Sequence, residues 1–328
     1  MTIKTVCIVG PGAIGGMMAV KFINAGYDVS ALVRPGRVDA MNSDGITLHD
    51  GDETLHQTPR SAANVADIGP QDLVIITVKE TGLGDVAPAI SSLCGPETQV
   101  VQVMNGIPWW FFIGSGGPHS GTRLESVDPN GRVSKHFEIK RHIGAVINCG
   151  VSWRGDGSLS HDHSNQLFLG RPSGDLEGVE TVADVFRAAG YNTEASNNIQ
   201  QRVMTKLLAN MSFNPVSALT MGTTDLLIGD DYVADTLAGL MNEGRAIIQA
   251  LGLDPGPDPV ETLKRGQRLN ASKTSMLQDM EAGKPLELEG ILGSAIELAG
   301  LVNVPVPLLR TVYGLLRVRQ QTMQAAAS

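Results

Sequence analysis

Cysteine is scarce in this chain: three in 328 residues, at Cys7, Cys94 and Cys149, too few and too widely spaced for a disulfide framework. Their apolar surroundings fit unpaired thiols in a reducing compartment, and none stands in a nucleophile context. Positive charge is also in deficit, with 25 Lys and Arg against 34 Asp and Glu and a formal net charge of -9. That balance argues against nucleic acid or an anionic membrane as the main partner. Long apolar runs are missing as well. The opening segment Ile3-Lys4-Thr5-Val6-Cys7-Ile8-Val9 meets a glycine too soon for a signal core or a membrane span, so a cytoplasmic protein is expected. Aromatic residues make up only 4%, and four of them fall together at Trp109-Trp110-Phe111-Phe112. What remains is an ordinary 42% hydrophobic content over a length beyond what one core usually organises, which predicts two domains.

The first residues run as an apolar strand, a glycine turn and a helix through Phe22, closed near Gly26, with a second β-branched run at Val29-Ser30-Ala31-Leu32-Val33. Further apolar runs at 73–78 and 100–104 read as buried parallel strands with a helix between them. The pattern predicts an α/β fold with an N-terminal Rossmann-type doubly wound sheet. From Gly114 to about Glu138 the composition turns rich in Gly, Pro, Ser and Asp, and Asp128-Pro129-Asn130-Gly131 is a strong turn signal, so a loop or hairpin excursion is expected. Strands follow at 143–151 and 166–169, then a helix ending near Gly190. Beyond that point, stretches at 231–251, 259–280 and 286–300 carry helical spacing and β-branched runs thin out. The expected domains are therefore 1–196, binding a dinucleotide, and 197–328, all-helical and carrying substrate and catalytic groups.

The turn after the first strand reads Gly10-Pro11-Gly12-Ala13-Ile14-Gly15. In a G-x-G-x-x-G loop the first glycine makes the turn, the second lets the backbone approach a pyrophosphate, and the third allows close helix packing. Placement between strand and helix favours a dinucleotide over a merely structural turn, and Ala13 and Ile14 would open the helix beneath the phosphates. Which dinucleotide depends on the end of the second strand, where a carboxylate would hold a ribose hydroxyl and an arginine a 2′-phosphate. Here the residue is Arg34, with Arg37 nearby, and Asp28 stands before the strand's core. NADP is the expected cofactor, against a solvated turn arginine as the alternative. Lys79 and Asn105 end the third and fourth apolar runs, where ligands of open parallel sheets bind.

In Lys206-Leu207-Leu208-Ala209-Asn210-Met211-Ser212-Phe213-Asn214 the polar side chains recur every four residues, which on a helix gives a single stripe. Polar groups on an otherwise apolar helix are costly to bury unless they meet a polar ligand or each other. A ketone accepting hydride develops negative charge on oxygen, and an ammonium both stabilises that charge and supplies the proton. Lys206 is thus the candidate general acid, with a snorkelling lysine beside solvated asparagines as the alternative. Pro215 is expected to push Asn214 out of helical geometry onto a broken end.

Nearly the whole chain resembles the ketopantoate reductase (2-dehydropantoate 2-reductase) family. The resemblance rests on the glycine loop, Arg34, Val78-Lys79, Met104-Asn105-Gly106, Lys206 through Asn210 with Asn214-Pro215, and Thr274-Ser275-Met276-Leu277-Gln278-Asp279 followed by Glu287. It implies an NADPH-dependent oxidoreductase that reduces a branched 2-keto acid, taking 2-dehydropantoate to (R)-pantoate. It also implies Lys206 as catalytic lysine, Glu287 as its paired acid, Asn105, Asn210, Asn214 and Ser275 as contacts to the keto acid, and Lys79 with Asn105 as contacts to the cofactor. From the residues alone Glu287 is not separable from Glu281 or Glu289. Two departures bear on substrate: Ser272 stands where the family often has asparagine, and the aromatic run before the Gly/Pro-rich excursion is longer than in compact members.

The main alternative is a D-2-hydroxy acid dehydrogenase for a bulkier or aromatic 2-keto acid, and a non-catalytic alternative is an NADP-sensing regulator, against which the lysine stripe argues. The aromatic run reads as packing in preference to a pocket wall. His161 and His163 alternate without a third ligand at a telling spacing, so no metal is expected. A small-molecule substrate, no nucleic acid, no membrane and a possible homodimer complete the expected partners.

Overall fold

A computed structural model describes residues 2–266 and 271–327. The chain forms two compact units, one comprising Met1–Met104, Trp109–Arg123 and Asn130–Ile199, the other Asn105–Pro108, Leu124–Pro129 and Gln200–Ser328. The second unit therefore takes two short segments from the first half of the chain.

The first unit is built on a ten-stranded sheet: β1 (Thr5–Val9), β2 (Asp28–Leu32), β3 (Ile46–Asp50), β4 (Glu53–Gln57), β5 (Arg60–Ala62), β6 (Gln71–Ile76), β7 (Cys94–Val103), β8 (His142–Trp153), β9 (Leu159–Gly170) and β10 (Asn192–Ala195). The order is β4-β3-β9-β8-β7-β6-β1-β2-β5, with β10 paired to β9. The strands from β8 to β5 run parallel, while β3/β4 and β8/β9 are antiparallel. Alternation sorts the side chains: Val6, Ile8, Leu73, Ile75, Val101 and Val103 enter one core with Met17, Met18 and Phe22 of the helix Ala13–Asn24. Phe22 meets Phe186 of the helix Val179–Ala188 edge-on, with ring centroids 5.1 Å apart. Register decides what this sheet offers. Val9 pairs with both Leu32 and Ile76, so Gly10, Arg34 and Lys79 leave the sheet at the same edge.

Between β7 and β8 the Gly/Pro-rich excursion forms turns and three short 3-10 turns, at Pro129–Gly131, Ser134–His136 and Ile139–Arg141, and no ladder. It is a loop excursion, with no hairpin in it. Trp109, Trp110, Phe111 and Phe112 are all buried in the first unit. Trp109 stacks on Phe137 at 5.5 Å, and a side chain at Gly144 would collide with the Trp110 ring. The run packs the core, as expected of it.

The second unit is helical. Its main helices are Ile199–Thr220, Asp231–Ala250, Ser294–Leu301 and Pro307–Ala327, with shorter ones at Thr224–Gly229, Pro259–Gly266 and Ser275–Glu281. Of the helical stretch expected at 259–280, residues 267–270 lie outside the described residues. The stretch expected at 286–300 begins instead with a π-helical turn, Glu289–Gly293, before the α-helix. The break expected at Pro215 is absent, because Ile199–Thr220 runs straight through it. Proline removes one N–H and crowds the carbonyl four residues back. Here Asn214, Pro215 and Val216 are all buried, and tertiary packing overrides the local preference. Among the described residues no helix is long and apolar enough to cross a membrane.

Candidate active site

The glycine loop in the first unit is shaped residue by residue. Gly10 has φ +76°, and a Cβ there would lie 2.3 Å from Val78 Cγ1. A Cβ at Gly15 would lie 2.2 Å from Thr77 Oγ1, whose hydroxyl is fixed by donating to the Gly10 carbonyl at 2.9 Å. Gly12 is the opposite case, since a Cβ there would meet nothing within 4 Å. The helix Ala13–Asn24 starts at this open point without a side-chain cap and without an acid in its first turn. Its first backbone N–H groups, from Ala13 and Ile14 onward, are what a helix end presents to an anion. Two crowded glycines around an open one fit a dinucleotide's pyrophosphate.

Arg34 and Lys79 flank this loop as exposed residues, and each immediately precedes a helical turn, Pro35–Arg37 and Glu80–Ile90 respectively. Asp28 is the exposed first residue of β2, at the strand end opposite Arg34. The strand end that would choose between a ribose hydroxyl and a 2′-phosphate therefore carries a cation.

Lys206, Asn210 and Asn214 of the second unit occupy one stripe of the helix Ile199–Thr220, Lys206 and Asn210 half-buried and Asn214 5% exposed. The side-chain amide nitrogens of Asn210 and Asn214 are both buried with no hydrogen-bond partner among the described residues. An unmet buried donor costs about 1–3 kcal/mol, so two on one face need a reason. The residue pair separated by 182 positions in sequence, Asn105 and Glu287, comes together: the Asn105 amide donates to Glu287 Oε2 at 3.4 Å, and Glu287 is 5% exposed. Ser275 opens the helix Ser275–Glu281, exposed, after Thr274 has capped the backbone N–H of Leu277 at 3.2 Å. Ser272 hydrogen-bonds Thr224 Oγ1 at 2.9 Å, which ties this segment to the helix Thr224–Gly229.

Residues 6–110 match the family model described as Ketopantoate reductase PanE/ApbA, and residues 198–320 match that described as Ketopantoate reductase PanE/ApbA C terminal. A 2-dehydropantoate 2-reductase of Mesorhizobium japonicum is 35% identical over 315 residues, covering 95% of this chain and 96% of that protein. The chain belongs to the ketopantoate reductase family. A crystal structure from Ralstonia solanacearum assigned to ketopantoate reductase is 35% identical with a TM-score of 0.92, covering 98% of this chain and 99% of that one. A D-mandelate dehydrogenase solved with NADH and anilino(oxo)acetate shares the fold at a TM-score of 0.82 and 17% identity, covering 98% and 99% of the two chains. Ketopantoate reductases are oxidoreductases, and this chain is one of them by sequence and by fold.

Several titratable groups of the first unit have roles or surroundings of their own. His161 bonds Asp50 at 2.6 Å through Nδ1, and Lys21 also pairs with Asp50, whose carboxyl stays below its usual range because these bonds outweigh the opposing effect of burial. Burial pushes the Cys7 thiol up to about 11, which makes it a poor nucleophile. Two features of the site escaped the sequence reading. Thr77 looks like one more β-branched strand residue, and the close approach of Gly106 to Gly290 joins segments far apart in sequence; only the Asn-Gly turn signal marked one side of it.

Proposed function

We propose that the protein is an NADPH-dependent reductase that converts a branched 2-keto acid, 2-dehydropantoate or a close relative, into the (R)-2-hydroxy acid. The observation that carries this reading is the pair of buried, unmet amide donors of Asn210 and Asn214 on the stripe of Lys206. Such donors suit a carboxylate, which accepts only and has lone pairs for both. Residues 1–196 would hold the dinucleotide: Gly10, Gly12 and Gly15 with the N–H groups of Ala13 and Ile14 on the pyrophosphate, Arg34 on the 2′-phosphate, and Lys79 and Asn105 as further cofactor contacts. Residues 197–328 would carry the acid–base groups, joined by Asn105.

When bound, NADPH supplies the hydride to C2. Lys206 stabilises the negative charge that gathers on the carbonyl oxygen and gives that oxygen its proton. Asn210, Asn214 and Ser275 seat the substrate carboxylate, and Glu287, oriented by Asn105, holds a substrate polar group or tunes Lys206. The product would enter pantothenate synthesis in the cytoplasm.

Turnover with NADPH on a panel of 2-keto acids tests the reading, with Asn210→Ala and Asn214→Ala measured beside the wild type. Each variant is expected to raise the keto-acid KM about 10- to 100-fold, the worth of a hydrogen bond to a charged group, with NADPH affinity unchanged. Preference for benzoylformate over 2-dehydropantoate would move the assignment to an aromatic D-2-hydroxy acid dehydrogenase. Tight NADPH binding without turnover of any keto acid would favour a sensor.

A further inference from the structure

Glu287 lies between two residues of the second unit that the last helix holds. Leu286 donates its backbone N–H to Gln320 Oε1 at 2.8 Å, and Glu289 Oε1 accepts the Tyr313 hydroxyl at 2.6 Å. Tyr313 and Gln320 are seven residues apart on Pro307–Ala327, about two helical turns, and therefore lie on one face. A third tether reaches the π-helical turn Glu289–Gly293 from the segment of Asn105. Gly106, at φ +78°, approaches so closely that a Cβ would lie 2.0 Å from the Gly290 carbonyl oxygen. The next residue, Ile107, donates its N–H to that oxygen at 2.8 Å, and the Ser294 hydroxyl donates to it at 2.7 Å. A π-helical turn shifts the helix register locally and recurs at functional sites. Here it carries two of these anchor points, Glu289 and Gly290, and begins two residues after Glu287.

We propose that Gly106, Tyr313 and Gln320 are positioning residues for the reduction: the Gly106–Gly290 junction and the two last-helix bonds set the Glu287 carboxylate against the Asn105 amide. None of the three needs to touch substrate. The proposal rests on the reductase reading for the role of Glu287, and on the hydrogen bonds alone for the brace. The bond to Glu289 and partial burial push the Tyr313 hydroxyl up to about 12, burial contributing most, so it remains a donor through the working pH range. A displacement of about 1 Å in a catalytic group costs up to about 100-fold in rate, so modest slackening at these anchors is measurable.

Tyr313→Phe and Gln320→Ala alter half-buried residues and remove one bond each; Gly106→Ala breaks the junction by both φ and collision. With the purified protein, NADPH and 2-dehydropantoate, the two last-helix variants are expected to lower kcat about 3- to 10-fold with NADPH affinity within about twofold of wild type, and Gly106→Ala to lower kcat about 10- to 100-fold. In a Glu287→Gln background the two last-helix changes should add almost nothing, because they act through that carboxylate. Full multiplicative losses in that background, or unchanged kcat in both last-helix variants, overturn the proposal. Amide hydrogen exchange separates this outcome from failure of the reductase reading: Leu286 should exchange faster in Gln320→Ala and Ile107 faster in Gly106→Ala. A wild type inactive on every keto acid defeats the reductase reading, and unchanged exchange at Leu286 and Ile107 defeats the brace.

Discussion

Lys206, Asn210 and Asn214 are four residues apart, and at the scale of the residue the proposed chemistry depends on that spacing. Substituting Lys206→Ala is expected to lower kcat by about 100- to 10,000-fold, the usual worth of a general acid, while Kd for NADPH stays near wild type. Turnover within about tenfold of wild type would remove Lys206 from the role. His142 gives a prediction of a different kind. It is fully buried against Trp109 and Trp110, neither ring nitrogen has a hydrogen-bond partner among the described residues, and burial, with Arg171 adding to it, pushes it down to about 3. The folded histidine is thus neutral, whereas the unfolded one takes up a proton once the pH drops through its ordinary range. This stability is complete above about pH 6.5 and is lost as the pH falls toward about 3. Urea unfolding across that window should show a shallower acid decline for His142→Leu than for the wild type; an identical decline would mean that His142 is not a proton-linked group.

The glycine loop was legible at the scale of the element because its signals are local: an apolar strand, glycines at fixed offsets, and a helix beginning at once. The structure adds what spacing does not show, that Gly12 alone faces open space while Gly10 and Gly15 are crowded by Val78 and Thr77. Gly12→Ala should therefore fold normally and bind NADPH at least about tenfold more weakly, if its methyl group enters the space proposed for the pyrophosphate. Gly15→Ala should lose melting temperature, because overpacking against Thr77 costs about 1–3 kcal/mol. Equal loss of stability in both variants would contradict this division. Local signals misled at Pro215, where burial keeps the helix intact, and they missed β3, β4, β5 and β10, which are short or carry many polar residues. The π-helical turn after Glu287 has no counterpart in the 3.6-residue period of the sequence, and its contacts with Gly106 and Ile107 come from a segment far away in the chain.

The α/β class and the helical second half of the whole molecule follow from periodicity and composition. The grouping of Asn105–Pro108 and Leu124–Pro129 with the helical unit does not. Those segments are held by long-range bonds, such as the Ser126 hydroxyl on Glu297 at 2.6 Å and the Ile107 N–H on Gly290, and no short window of sequence carries them. The same limit applies to Glu287: residue type alone left it level with Glu281 and Glu289, and family resemblance singled it out. Its 3.4 Å contact with Asn105 supplies a physical reason that neither segment contains by itself. The expected homodimer is checked by sedimentation, in which a mass near 34.7 kDa would indicate a monomer. The most direct test of the proposed function is the rate of NADPH oxidation by the purified protein with 2-dehydropantoate, compared with NADH under the same conditions. Turnover with NADPH at least about tenfold more efficient than with NADH is the expected result, since a strand-end arginine recognises the 2′-phosphate. Equal use of both cofactors would contradict the role given to Arg34, and no turnover of 2-dehydropantoate with either would contradict the substrate.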